Sequence, residues 1–380
     1  MNIKVCIFVR ILWPGGVQRT AFAEAEQLIE RGISVDLVFL RDTGREKYTT
    51  TVPHQVLFDP SIKNRLFGRI FKVITHRYAP HRGSDATVDL DLIRRYEVTR
   101  KEYDIVIYFD QQAAFFARYG QRLHGGKYVV QIHETSLKDK VVVPHFVEKR
   151  ALRNAAAIIT NSTRNKEILQ SHGYENIHVI YPGLYPQPES PGFKSRSDVA
   201  ISVTVWDRGR RPEVFLEIVK YLKTGSIVLA GSWADPNYQQ EFMALIENEG
   251  LTGKLFVTGP LSENALREYY LHCKVGMRFG YNEAGPGMGS LEVISYGIPL
   301  LINSGIGIRE ILEADVNAMV VNEDRPHDIA SSIERFFTDE ELWNSFHQAN
   351  VALAEKISWH NHGEALARVL NDVYDSHSDC

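Results

Sequence analysis

The sequence predicts an α/β chain made of two successive doubly wound domains, and three observations carry that reading. Apolar runs of strand length alternate with helical patterns through the first half, a proline-rich stretch interrupts them, and the same alternation then restarts. In the first half, residues 5–11, 34–39, 105–109, 128–132 and 157–159 read as strands, and 20–30 as a helix closed by Gly32. The interruption, 181–198, opens Tyr-Pro-Gly-Leu-Tyr-Pro-Gln-Pro, which suits neither a helix nor a central strand. Beyond it, 200–205, 226–229, 255–257, 275–278 and 299–302 are the candidate strands, with helices at 212–222, 239–247, 263–270 and 290–296. Residues 359–374 form one amphipathic pattern expected to cross back onto the first domain. The expected organisation is therefore a first domain at 1–183, a linker at 184–198, a second domain at 199–358 and a returning helix at 359–380. Two such domains would present a ligand cleft between the carboxyl ends of their sheets.

Composition narrows the function classes. With 44% hydrophobic and 24% charged residues the chain is an ordered globular protein, and a formal charge of -4 gives no reason to expect nucleic acid. The three cysteines, Cys6, Cys273 and Cys380, show no metal-ligand or redox spacing and fit a reducing cytoplasm. The first strand runs too soon into Pro14-Gly15-Gly16 to be a signal peptide, and no stretch reaches membrane-spanning length.

Three strand-to-helix corners carry the chemistry. Asn282-Glu283-Ala284-Gly285-Pro286-Gly287-Met288-Gly289-Ser290-Leu291-Glu292 sets two carboxylates around a flexible backbone ahead of a short helix. Gly285, Gly287 and Gly289 let that backbone approach a phosphate or sugar and their amides can donate to it, with Met288 and Ser290 in the same donor-binding segment. Carboxylates accept hydroxyls in pairs, so Glu283 and Glu292 suit a hexose and a ribose, the two sugars of a nucleotide sugar. Arg208, Arg210 and Arg211 occupy the loop after the first strand of the second domain and offer permanent charge to a diphosphate; a solvated basic turn is the alternative. Gly15 and Gly16 lie at the equivalent corner of the first domain, where an anion site and a plain structural turn need the same residues. The pattern is not GxGxxG, which disfavours a nicotinamide enzyme.

His133 and Glu134 follow the strand at 128–132, so His133 is placed to meet a reacting sugar, unless it is an ordinary packed histidine. Asp110, at the end of the preceding strand, and Glu134 are candidates for acceptor binding. Residues 61–83 hold six basic and no acidic side chains, interleaved with an apolar stripe. Lys63, Arg65, Phe67, Arg69, Phe71 and Lys72 would thus suit an anionic membrane surface, although the stripe could equally pack on the core and the basic residues could bind a polyanionic acceptor.

Taken in order, Gly15-Gly16-Val17-Gln18-Arg19, His133-Glu134, Asn161-Ser162, Tyr181-Pro182-Gly183, the arginine loop, the Glu283-to-Glu292 segment and Gly297-Ile298-Pro299 resemble the family 4 glycosyltransferases of the GT-B type. The resemblance implies metal-independent transfer with retention from a nucleotide diphosphate sugar, which is substrate rather than cofactor. It implies that Glu292 binds the nucleotide ribose, Arg210 faces the diphosphate, His133 lies near the transferred sugar and Glu283 contacts sugar hydroxyls. Gly16 would approach the donor phosphate. Two departures stand out. The family usually spaces its glutamates eight apart, whereas Glu283 and Glu292 are nine apart, and Val205 stands where many relatives carry arginine. The expected activity is transfer of a hexose or deoxyhexose to a saccharide or lipid-linked acceptor, in the cytoplasm or peripherally on the inner membrane face. A noncatalytic carbohydrate-binding subunit is the alternative, and a phosphorylase-like use of the cleft lacks its lysine cofactor motif.

Overall fold

In a computed structural model, the structure describes residues 3–12, 15–42, 50–58, 102–109, 126–133, 146–187, 190–281, 283 and 285–376. Asp110, Glu134 and the expected basic helix with Lys63, Arg65, Phe67, Arg69, Phe71 and Lys72 lie outside them. The chain divides into two compact units, Met1–Pro182 with Trp359–Cys380, and Gly183–Ser358.

The first unit holds a parallel seven-stranded sheet of order β3-β2-β1-β4-β5-β6-β7. Its strands are β1 (Lys4–Leu12), β2 (Ser34–Asp42), β3 (His54–Phe58), β4 (Ile105–Phe109), β5 (Lys127–Ile132), β6 (Ala157–Thr160) and β7 (Ile177–Val179). Side chains alternate across a strand, so β1 feeds two cores. Val5, Ile7 and Val9 pack with Leu28 of α1 (Gly16–Glu30), while Cys6 and Phe8 share the other core with Leu152 of α2 (Phe146–Arg153) and Leu169 of α3 (Thr163–Ser171). With both faces covered, the strands read as apolar runs rather than as alternating patterns.

The second unit repeats the plan with six parallel strands, β10-β9-β8-β11-β12-β13. They are β8 (Ser197–Val203), β9 (Ser226–Ala230), β10 (Leu255–Gly259), β11 (Cys273–Arg278), β12 (Leu300–Ile302) and β13 (Ala318–Val320). Between and after them run α4 (Glu213–Tyr221), α5 (Pro236–Asn248), α6 (Glu263–His272), α7 (Met288–Ser295), α8 (Pro326–Thr338) and α9 (Glu340–Lys356). The stretch expected as a linker, 184–198, belongs to this unit. Leu184 is buried, and the Arg196 guanidinium donates to the carbonyls of Tyr270 and Cys273, both at 2.7 Å. The last helix, α10 (Trp359–Asp375), packs in the first unit, where Leu366 and Leu370 enter the α1 core.

Strand order reverses between β1 and β4 in the first sheet and between β8 and β11 in the second. At such switch points the loops leaving neighbouring strands diverge and open a crevice at the carboxyl ends. The loop after β8 carries the arginines and the loop after β11 carries Glu283, so topology alone brings both to the same point.

Candidate functional site

In the second unit, Asp207 caps the 3-10 turn Arg208–Arg210 by accepting from the Arg210 amide at 2.9 Å. Arg211 follows with a left-handed backbone (φ 47°), which turns the chain into α4. The turn spreads its guanidinium groups in three directions. Arg208 pairs with Glu241 at 2.8 Å and lies over the Tyr238 ring; Arg211 lies over the Tyr281 ring; Arg210 pairs with Glu283. The family resemblance assigns Arg210 to a diphosphate, and it is the arginine that meets the glutamate loop.

Glu283 is held from a second side. Arg278, the last residue of β11, donates from Nη2 to Glu283 Oε1 at 2.6 Å and from Nη1 to the Phe279 carbonyl at 2.8 Å. Its side chain is 7% exposed, which makes Glu283 the counter-charge of a buried cation as well as a candidate sugar contact. Burial, and then the like charge of Arg210, push the Arg278 guanidinium below its ordinary range. Two arginines on one carboxylate leave the knot with a net positive charge, suited to a dianionic ligand.

The backbone around the knot is tight. A Cβ on Gly289 would sit 2.6 Å from the Val203 carbonyl oxygen, and one on Gly307 would strike the Gly285 backbone at 2.4 to 2.7 Å. Gly287 caps α7, so Met288, Gly289 and Ser290 form its first turn; the Ser290 amide donates back to the Gly287 carbonyl at 3.1 Å, which leaves the Met288 and Gly289 amides to face a ligand. Ser290 is buried and its Oγ has no hydrogen-bond partner among the described residues. Two residues on, Glu292 Oε2 accepts from the Tyr270 hydroxyl at 2.9 Å, which fixes the carboxylate's orientation.

In the first unit, Gly15 caps α1, and the Gln18 amide donates to the Ile11 carbonyl at 2.9 Å, closing the turn between β1 and the helix. Gly16 is the first helical residue, so the turn is structural whatever else it binds. His133 follows β5 directly. Its ring packs on Phe109 at 5.0 Å between centroids, its carbonyl accepts from Asn161 at 2.7 Å, and its Nε2 faces Gln131 Nε2 at 3.2 Å. Burial, assisted by His362, pushes the His133 imidazole down to about 3, so the ring is neutral near pH 7. The buried atoms His133 Nδ1, Gln131 Oε1 and Thr160 Oγ1 have no hydrogen-bond partner among the described residues, and all three come from the carboxyl ends of β5 and β6. Buried polar atoms left this way mark a place where a ligand can supply the bond.

The models of two glycosyltransferase families cover nearly the whole chain: Glycosyltransferase Family 4 matches residues 14–187, and Glycosyl transferases group 1 matches 186–351. The chain belongs to the GT-B glycosyltransferases of the family 4 type. An uncharacterised glycosyltransferase of Methanocaldococcus jannaschii is 23% identical over 305 residues, which span 72% of this chain and 75% of that protein. Among solved structures, Anabaena HepE in complex with UDP and glucose superposes with a TM-score of 0.74 at 16% identity, covering 98% of this chain and all of that one. Sucrose-phosphate synthase of Thermosynechococcus elongatus gives 0.74 at 14% identity, covering 99% and 100%. At these identities the structural likeness establishes the fold, two Rossmann-like parallel-sheet domains.

Within this GT-B transferase the structure joins Arg210, Glu283 and the Gly285-to-Ser290 turn, and places Arg208 and Arg211 on the flanks. It adds Arg278, Tyr270, Gln131, Glu24 and His362, which motif reading passed over. Three of them are polar residues where the pattern calls for an apolar one: Arg278 ends a buried strand, Gln131 interrupts Val-Val-Gln-Ile, and Glu24 lies between Ala21, Ala25 and Leu28 on the inner face of α1. That mismatch was the available signal, because such residues are buried only with partners.

Proposed function

We propose that this glycosyltransferase moves a hexose or deoxyhexose from a nucleotide diphosphate sugar to a saccharide or lipid-linked saccharide, with retention and without a metal. The observation that carries the reading is the Arg210–Glu283–Arg278 knot beside the glycine-framed start of α7. Cleaving the sugar–phosphate bond builds negative charge on the diphosphate. Arg210 and the Met288 and Gly289 amides would be fixed beforehand where that charge develops, and such preorganisation lowers the barrier rather than merely tightening binding. The departing phosphate would take the proton of the acceptor hydroxyl on the same face, so neither glutamate acts as a covalent nucleophile. Glu292, oriented by Tyr270, would receive the ribose hydroxyls; His133 would contact the transferred sugar; Gly15 and Gly16 would let the phosphates approach α1. HepE in complex with UDP and with UDP-glucose supports a uridine nucleotide as the first donor to try.

Calorimetric titration with a panel of nucleotide sugars, with and without EDTA, tests this. Selective, EDTA-resistant binding that weakens about 10- to 100-fold in Glu292→Ala is expected, since a charged hydrogen bond is worth about 1.5–3 kcal/mol. Undiminished affinity in that variant would remove Glu292 from the donor site. The commitment of Glu283 to two arginines favours, as a second reading, a subunit that binds carbohydrate without turnover. Transfer that depends on Arg210 would rule it out.

A further inference from the structure

Behind His133 lies a buried chain of side chains that the transfer reaction as described does not use. His362, on α10, has Nδ1 at 2.6 Å from the Tyr181 carbonyl oxygen and Nε2 at 2.8 Å from Glu24 Oε1. Glu24 Oε1 in turn receives Gln131 Nε2 at 2.6 Å, and the same amide nitrogen faces His133 Nε2 at 3.2 Å. Glu24 is fully buried and His362 is 3% exposed, so water does not compete for these bonds.

Hydrogen-bond direction can be followed along this chain. A carbonyl only accepts, so His362 Nδ1 carries a proton to Tyr181. One proton then lies between His362 Nε2 and Glu24 Oε1, whether the pair is imidazolium–carboxylate or imidazole–carboxylic acid. In either form Glu24 Oε1 keeps a lone pair, which the Gln131 amide must meet as donor. With its NH2 turned that way, Gln131 can also only donate to His133 Nε2. That nitrogen must carry the lone pair, and the proton of the neutral ring must be on Nδ1, the atom left without a partner.

We propose that Glu24, locked by His362, is a positioning residue that acts through Gln131 to hold His133 as the Nδ1–H tautomer, so that the ring meets the sugar as a hydrogen-bond donor. The part concerning the sugar rests on the proposed transferase reading; the tautomer does not. A donor at this point would select an oxygen acceptor on the ligand, such as a hydroxyl or ring oxygen. The arrangement also makes the C-terminal helix part of the site's support, because His362 reaches Glu24 from α10 and Tyr181 fixes the far side of its ring.

The Glu24→Gln variant reverses the chain. With no carboxylate left to balance an imidazolium, the neutral His362 ring that still donates to Tyr181 has a lone pair on Nε2, so the new amide must present NH2 to it. Gln131 then meets a donor, flips, and offers Oε1 to His133 Nε2, which must now carry the proton. Long-range 1H–15N correlation spectra of histidine-labelled protein, assigned with His133→Gln, read the tautomer directly. The expected result is a protonated Nδ1 in the unmodified chain, a protonated Nε2 in Glu24→Gln, and a mixture in Gln131→Met, which removes the relay while keeping volume. A protonated Nε2 in the unmodified chain would overturn the proposal, as would an unchanged tautomer in a folded Glu24→Gln. Should Glu24→Gln not fold, Gln131→Met decides alone, and an undisturbed Nδ1 tautomer there overturns it equally. Turnover should fall about 10- to 100-fold in either folded variant, as expected for an unpaired buried donor or acceptor. A reversed tautomer with unchanged kinetics would leave the relay standing and instead sink the placement of His133 at the sugar.

Discussion

The two units share one topology and place their polar residues at the same kind of switch point, yet the two centres are electrostatic opposites. The second unit concentrates formal charge, two guanidinium groups on one carboxylate. The first presents a neutral imidazole whose hydrogen-bond direction is set from behind by Gln131 and Glu24. The difference teaches that a repeated fold supplies the location and leaves the chemistry to a few buried polar substitutions. It also separates the measurements: the second unit should respond to charge removal, the first to changes of proton position.

The largest expected effect breaks the charged centre. Glu283→Ala leaves Arg278 buried without its carboxylate, and removing one partner of a buried pair costs about 3–5 kcal/mol. Arg210→Ala keeps the Arg278–Glu283 bond and, being at a partly exposed pair, should cost at most about 1 kcal/mol of stability. Its turnover should nevertheless fall roughly 100-fold, if it stabilises charge on the leaving diphosphate. Urea denaturation midpoints and initial rates on both variants check whether stability and activity separate in this way. Equal stability loss in both variants would show that Arg210 is as structural as Arg278.

Next in size is the acid response of the neutral centre. His133 is depressed from 6.5 to about 3 in the folded chain. Above pH 6.5 it is neutral in both states and contributes nothing. Between 6.5 and 3 the unfolded chain binds a proton that the folded chain does not, so stability falls as pH drops through that window. The contribution is on the order of a few kcal/mol across it. Unfolding free energies of the unmodified protein and His133→Asn, measured from pH 7 to 4, should converge as the pH falls. Parallel curves would mean that the histidine titrates normally, and the neutral centre would then resemble the charged one.

Much of this architecture was legible in the sequence, for stated reasons. Both sheets followed from apolar runs between helical patterns, and the Gly285-to-Ser290 turn followed from its glycines. The short strands β7 and β13, three residues each, carry too little periodicity to be read, and α8 and α9 went unassigned although their amphipathic faces are clear in the fold. The strand expected at 200–205 instead spans Ser197–Val203, leaving Val205 exposed outside the sheet. At the site, residues on loops were visible because loops advertise themselves by composition. Arg278, Gln131 and Glu24 were not, because they lie inside regular elements and their partners come from distant parts of the chain, 338 positions away for Glu24 and His362.

A smaller effect probes the frame of the charged centre. Gly307→Ala places a methyl group within 2.4 to 2.7 Å of the Gly285 backbone, where no flexible side chain can give way. Overpacking of this kind costs about 1–3 kcal/mol. Because Gly285 adjoins the start of α7, donor affinity should fall together with the urea midpoint, while the His133 tautomer stays as it is. A change in that tautomer would mean that the two centres are coupled.

The smallest predicted effect sharpens the comparison most finely, because it alters hydrogen bonding inside the charged unit without touching charge. Tyr270→Phe removes the hydroxyl that donates to Glu292 Oε2 and leaves the carboxylate itself in place. Because the carboxylate stays and only its orientation is loosened, the loss should be smaller than in Glu292→Ala, about 1 kcal/mol, or roughly fivefold in affinity. If Tyr270 orients Glu292 toward a ribose, that loss should appear in calorimetry with a nucleotide diphosphate sugar and vanish when the donor is replaced by a diphosphate lacking the ribose, since Arg210 and the α7 amides are unchanged. Equal weakening toward both ligands would show that Tyr270 acts on the whole α7 turn rather than on one carboxylate.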